Sequence, residues 1–464
     1  MTEHRGPILF ASNPSAGLIN CVLAMAGEVN RRGGADLWFA STEDRSGDVW
    51  RLPGAERVRF VSVGEHLPAV DPVSWPDETH RALIGESRLR RYTTFLDHAF
   101  DAADVWAKYE RLLAEIDRIR PALMVVDSST GWALDAAMVR GVPYVMTVPL
   151  PASGAYLDRL PWGYPAPFSG LPGRMGPRQR IANVAFRIGS RLAFFTPSRL
   201  RMIAENARRR KGADLPNVAA APSRYADGAE AVLSTMVPEL EYPFPGQEKV
   251  TMLGAVLPEE DGAAAGDDGG ELAAWLDRHE SIVYIGFGTI MRPTAAQVKA
   301  IVEMCERLGD RHQVLWRLPA ARHELLPEKP PGNLRVETWL PSQLAVLAHP
   351  NVRVFFNHAG GNAVTEGLYF GKPLLVLPFW MDCHDYAVRA VDSGAALALD
   401  QRESGDAEVI TAKLERLLAE DGFRDAARAI ADSQRGAGGV RAAADLIERA
   451  AAAAARPAPD PTAA

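Results

Sequence analysis

Residues 352–370 read VRVFFNHAGGNAVTEGLYF, and how this stretch folds decides the architecture around it. Val352, Val354, Phe355 and Phe356 make an apolar, β-branched and aromatic run that reads as a buried strand ending at His358. The chain then turns at Gly360 and Gly361 into a helix whose first amides point back at the strand tip, which is an anion site. Two glycines let the backbone approach a phosphate closely, and His358 adds a hydrogen bond or a positive charge. Glu366, about a turn further on, is placed to accept hydrogen bonds from vicinal hydroxyls. A phosphate-bearing nucleotide with a free ribose suits this set. Taken alone, the turn also fits a structural strand-to-helix connection with a solvated histidine.

Outward from this stretch the same rhythm repeats. SIVYIGFG (281–288), QVLWRL (313–318), LRVETWL (334–340), PLLVLPF (373–379) and AALALD (395–400) are short apolar runs, each followed by a turn signal or a helical pattern. The first half alternates likewise: ILFA, then 20–32; LWFAS, then 81–117; ALMVVD at 122–127, then 131–140; PYVMTV at 143–148. Alternating strands and helices predict parallel sheets covered by helices, and at 464 residues two such domains are expected. The acidic, Gly- and Ala-rich stretch AVLPEEDGAAAGDDGG at 255–270 reads as the connection between them. The resulting division has an N-terminal domain over 1–254, a linker over 255–274, a C-terminal domain over 275–433, a C-terminal helix over 434–449 and a disordered tail over 450–464.

A net charge of −7 lacks the basic excess of a nucleic-acid binder, so no nucleic-acid partner is expected. No leader or membrane span is evident, and a cytoplasmic location is expected. The three cysteines, Cys21, Cys305 and Cys383, are too few and too scattered for a disulfide framework or a zinc site, and no metal is expected. Residues 160–211 fit the alternation poorly. Their apolar stretch carries Arg187, Arg191, Arg199 and Arg201, the pattern of a helix covering a pocket or of a basic amphipathic helix on a membrane surface.

The 334–387 region resembles the donor-binding signature of the family 1 glycosyltransferases, UDP-sugar-dependent enzymes of the GT-B fold, in which two Rossmann-like domains face each other across a cleft. Trp339, Pro341, His349-Pro350, His358, Gly360, Asn362, Glu366, Gly371, Pro373, Pro378 and Asp382 fall in the family's order, with one extra residue between Pro341 and His349. The resemblance implies an inverting transferase that takes a UDP- or TDP-linked sugar as co-substrate, needs no other cofactor, and glycosylates a small, largely apolar acceptor such as a natural product. It implies that Trp339 stacks on the base, with Gln343 in the same part of the signature. His358, Gly360, Gly361 and Asn362 would hold the diphosphate, and Glu366 the ribose. Asp382, with Asp385 after it, would contact the sugar. Gly288 and Thr289, in GFGT, would line the phosphates or the cleft.

Earlier in the chain, Pro14, Gly17, Asn20 and Leu23 match the family's P-x-x-G-H-x-N-P-x-L. VVD at 125–127 and GVPYV at 141–145 match the region of its catalytic aspartate. The departures are Leu18 where the family has its catalytic histidine, Cys383 in place of the terminal Gln, and Tyr386 in place of Asn. Leucine takes no proton. A substitute base is therefore expected at Asp127, with His80 and His98 behind it in the variable region that lines acceptor pockets in relatives. The alternatives are an acceptor that needs little help, a non-catalytic sugar-nucleotide-binding partner of another transferase, and an epimerase.

Overall fold

Two separate parallel sheets carry the chain, and the computed structural model describes residues 5–85, 87–216, 221–259 and 269–455 of it. The first sheet holds β1 (Arg5–Ala11), β2 (Ala35–Ser41), β3 (Val58–Ser62), β4 (Leu123–Asp127), β5 (Tyr144–Val148), β6 (Ala231–Ser234) and β7 (Val250–Met252). Its order is β3-β2-β1-β4-β5-β6-β7. The second holds β8 (Ile282–Gly286), β9 (Gln313–Arg317), β10 (Leu334–Glu337), β11 (Val352–Asn357), β12 (Leu374–Val376) and β13 (Ala396–Ala398), in the order β10-β9-β8-β11-β12-β13. β4 and β8 are buried at every position because helices cover both faces, hence their unbroken apolar runs. Three strands of the first sheet, β3, β6 and β7, fall outside the runs that the sequence picks out. β3 and β7, at the two edges of the sheet, mix polar with apolar residues, and β6 is only four residues long.

Each sheet reverses its winding at one place, between β1 and β4 and between β8 and β11, and in open α/β sheets ligands bind outside the carboxyl ends at that point. Here the two switch points face one cleft, a cavity of about 1550 Å³ whose lining runs from Asn13 and Gly131 on the first domain to Gly288 and His358 on the second.

The boundaries drawn from composition need correction at two places. Of the linker 255–274, residues 260–268 lie outside the described residues, and Gly269–Arg278 is already a helix of the second domain, with Leu272 and Leu276 in its core. At the other end, the expected helix over 434–449 is two helices, Asp421–Gly436 and Gly439–Ala454, broken where Gly438 and Gly439 take positive φ. The second of these crosses back and packs on the helix Ala16–Arg32. Residues 450–454, expected to be disordered, continue that helix because Ala443, Ile447 and Ala451 form an apolar stripe sealed against the first domain. The rest of the tail, 456–464, lies outside the described residues.

Candidate active site

The turn after β11 is built around one imidazole. Ala359 takes φ 60, Gly360 caps the helix Gly361–Tyr369, and the ring of His358 folds over the backbone. A Cβ at Gly360 would lie 2.4 Å from His358 Nε2, and one at Gly288, where φ is 67, would lie 2.6 Å from its Cε1. Gly361 is held as closely, since a Cβ there would meet the Tyr386 ring at 2.9 Å. The glycines are therefore demanded by the ring packing as well as by any phosphate. Burial lowers the His358 pKa to about 4, so the ring is neutral at neutral pH, and its Nδ1 is a buried atom without a hydrogen-bond partner among the described residues.

Around this turn the structure gathers Gly288, Thr289, Trp339, Gln343, His358, Gly360, Gly361, Asn362, Glu366 and Asp382 on one wall of the cleft. Trp339 is 69% exposed, unusual for so large an apolar ring, and Arg317 Cζ stands 5.5 Å from its centroid. Tyr284 donates to Gln343 Oε1 at 2.9 Å, and Gln343 Nε2 donates to Glu366 Oε2 at 2.6 Å, which fixes the carboxyl group and leaves its other oxygen without a protein donor among the described residues. Burial raises Glu366 to about 7 against the opposing effect of Gln343. Asp382, in the first turn of the helix Met381–Asp392, is also raised to about 7, by burial and by repulsion from Asp385.

Arg317 and Tyr284 are not evident from the signature. Arg317 ends β9 in register with Gly286 of β8, and its Nη1 donates to the Gly288 carbonyl at 2.7 Å. A run ending in Arg beside a GFGT loop was the signal available.

Asp385 has to be moved out of the sugar site. Its carboxylate is buried and accepts from the amides of Phe168 at 2.6 Å and Gly170 at 3.0 Å, both on the first domain. It therefore ties the domains together. Neighbours on the same helix do likewise: Tyr386 donates to the Pro149 carbonyl at 3.0 Å, and Arg389 Nη2 pairs with Glu241 at 2.8 Å in a buried cluster with Tyr164. Trp380 sits edge-on to Trp75 and Phe95 across the cleft, with ring centroids 6.2 and 5.6 Å away.

The opposite wall is largely apolar. Leu18 lines it, though from the first turn of the helix Ala16–Arg32 and not from the strand tip, because that helix begins four residues earlier than expected. None of the three expected bases is placed to serve. Asp127 is fully enclosed: Ser129 N donates to Oδ1 at 2.9 Å, Asn13 N donates to Oδ2 at 3.4 Å, and the Thr130 hydroxyl donates to Oδ2 as well. Burial raises its pKa, but no edge of it lines the cleft, and its work is to cap the turn before the helix Gly131–Arg140. His80 is bonded to the Pro72 carbonyl at 2.8 Å and lines a separate, smaller cavity with Asp77, Arg292 and Arg322. His98 is exposed, its Nδ1 bonded to the Thr94 carbonyl of its own helix. Only two imidazoles line the cleft among the described residues, His358 and His66. His66, in the loop after β3, is bonded to Asp71 at 3.0 Å.

All three cysteines are free and buried, and no three His, Cys, Asp or Glu residues are grouped to hold a metal ion among the described residues. No described helix is long and apolar enough to cross a membrane.

A family model described as UDP-glucoronosyl and UDP-glucosyl transferase matches residues 154–432, more than half of the chain. The protein belongs to this family, and its fold is GT-B. A Zea mays anthocyanidin 3-O-glucosyltransferase is 35% identical over 182 residues, 37% of each chain. The glycotransferase of kitacinnamycin superposes with a TM-score of 0.70 at 20% identity, covering 96% of this chain and 99% of that one. A Medicago truncatula glycosyltransferase solved with UDP-glucose does so at 0.66 and 16% identity, over 96% and 98%. The alignments with the first curated relatives span 39% of their length or less.

Proposed function

We propose that the protein transfers a sugar, with inversion at the anomeric carbon, from a UDP- or TDP-linked donor to a small and largely apolar acceptor such as a natural product. The observation that carries this reading is the pairing of two unlike walls across one cleft. One presents the open amides of the helix Gly361–Tyr369, neutral His358, the fixed cation Arg317, an exposed Trp339 face and the oriented Glu366 carboxyl group. The other presents Leu18, Leu67, Val70, Phe95, Phe100 and Trp106. Amides at a helix N-terminus, with Arg317 beside them, take up the negative charge that grows on the leaving diphosphate. Trp339 offers a face to a pyrimidine and Glu366 an acceptor for ribose hydroxyls. Asp382, in the first helical turn of the same wall, is the group we assign to the sugar. The relatives named for flavonoid-type acceptors support a flat apolar acceptor.

Calorimetry with UDP and TDP, followed by a screen of aromatic and aliphatic acceptors with UDP-sugars, tests the reading. His358→Ala should weaken donor binding clearly, and unchanged affinity would remove the donor site from this turn. Donor binding without transfer to any acceptor, and without slow release of UDP in water, would favour the second reading, a non-catalytic partner of another transferase, which the leucine at position 18 motivates.

A surface feature bears on where the protein acts. Ile181, Val184, Ile188, Leu192 and Phe195 are exposed along one side of Pro177–Leu192 and the turn after it. Residues 177–212 carry ten basic residues to one acidic, and leaving out buried Arg187 and Arg210 and the Asp97-paired Arg199 still leaves seven, in a chain of net charge −7. We assign this face to an anionic bilayer surface, since an apolar stripe flanked by arginines fits one. Phosphatidylglycerol vesicles should sediment the protein in low salt, and Leu192→Glu should abolish this. A stable dimer that the same substitution dissolves would instead assign the face to a second copy of the chain.

A further inference from the structure

Leu18 removes the family's base, and Asp127 is too enclosed to replace it, yet an acceptor hydroxyl still has a proton to lose. The cleft-lining carboxylates of the first domain are mostly committed elsewhere. Asp48 is paired with Arg45 and Arg51, Asp104 with Lys108, and Asp135 with Arg210, while Asp101 caps its helix by accepting from Asp104 N. His66 is different. Its Nε2 lies 3.0 Å from Asp71 Oδ2, and its Nδ1 has no partner among the described residues. Asp71 is itself anchored, since its Oδ1 accepts from Val73 N at 3.0 Å. A carboxylate only accepts, so we assign the ring proton to Nε2, which leaves the lone pair on Nδ1. The side chains of His66 and Asp71 are 24% and 23% exposed, enough to meet an acceptor while packed by the loop.

We propose that His66, oriented by Asp71, is the catalytic base of the transfer. This is the logic of an imidazole held in one tautomer by a carboxylate, with the ring nitrogens in the opposite roles to those of the serine protease triad. It rests on the glycosyl-transfer reading above. The acceptor O–H proton passes to His66 Nδ1 as its oxygen bonds to the anomeric carbon. The bond from that carbon to the diphosphate oxygen breaks, its electron pair leaving with the diphosphate. The imidazolium, stabilised by Asp71, then returns the proton to water. The dyad stands in the loop after β3, two strands away from β1, so no comparison at position 18 would reveal it.

The test uses the full-length protein, UDP-glucose and a series of substituted phenols spanning ionised to un-ionised at the assay pH. His66→Gln keeps a hydrogen-bonding group but cannot serve as a base at neutral pH. It should lower transfer to un-ionised phenols by roughly 10²–10⁴-fold while ionised ones suffer far less. Calorimetric affinity for UDP-glucose should stay unchanged, and added imidazole should restore part of the activity of His66→Ala. Asp71→Asn, a positioning change, should move the acid limb of the pH–rate profile without weakening donor binding. Parent-like transfer by His66→Gln, or an equal loss across the whole series without imidazole rescue, would overturn the proposal. Failure of the unmodified protein to transfer to any acceptor would instead remove the glycosyl-transfer reading on which it rests.

Discussion

The two walls of the cleft differ in how they are made. Most of the wall we assign to the donor comes from one contiguous stretch, 334–382, because a strand tip, a glycine turn and a helix N-terminus are neighbours both in sequence and in space, with Tyr284, Gly288, Thr289 and Arg317 joining from the strands beside it. The acceptor wall is assembled from the start of a helix, the loops after β2 and β3, and the helices Arg88–His98 and Ala102–Ile119. Local chain geometry imposes a pattern on the first wall. The second has only to be apolar and roomy, so many sequences suit it.

The sharpest break in this comparison lies in the helix Met381–Asp392, where the donor pattern continues but the side chains face the other domain. Removing Glu241 leaves Arg389 buried without its carboxylate among Ser153, Tyr164 and Asp385. Glu241→Ala is therefore expected to destabilise the protein by about 3–5 kcal/mol, measured by denaturant unfolding. Asp385→Asn should likewise lower stability without changing the preference among donor sugars. A changed sugar preference at unchanged stability would return Asp385 to the donor wall.

The fold was legible in the sequence because buried parallel strands leave unbroken apolar runs and the linker breaks them with acid and glycine. The wall we assign to the donor was legible in outline: most of its expected residues meet on one side of the cleft, Asp385 does not because it binds amides of the other domain, and Arg317 and Tyr284 were missed because they belong to neighbouring strands and join only through sheet register. The expected base was misassigned for a physical reason. Asp127 at a strand tip satisfies a turn, and that demand is local, whereas His66 and Asp71 meet through a loop whose shape no periodicity encodes. The tail was misread because alanine-rich sequence looks featureless until a partner helix buries it.

A smaller effect sharpens the donor side. With Glu366 raised to about 7, its second oxygen changes from acceptor to donor as pH falls through that value. UDP-glucose carries no group titrating nearby, so its affinity should rise between about pH 6 and about pH 8. Glu366→Gln should flatten that dependence, and a slope that survives would place the titrating group elsewhere, with Asp382 next. Stability runs the other way. For Glu366 and Asp382 the folded state binds protons more tightly than the unfolded chain, so the unliganded protein should lose stability as pH climbs from the ordinary carboxyl range through about 7. Asp382→Asn should reduce that loss.

The smallest expected effect is at Leu18. A histidine placed there would need a carboxylate to hold its tautomer, and the candidate that the sequence pattern offers is Asp127. Here both oxygens of Asp127 are already occupied by donors from Asn13, Ser129 and Thr130, and the neighbouring Cys21 thiol, pushed up to about 12, offers no charge. Leu18→His would thus introduce a ring without an orienting partner and remove apolar surface from the acceptor pocket. Transfer rates with un-ionised phenols should change little, and in a His66→Gln background the substitution should not restore what was lost. Recovery in that background would mean that Asp127 can release its present donors, and the two walls would then differ by one side chain instead of by how they are built.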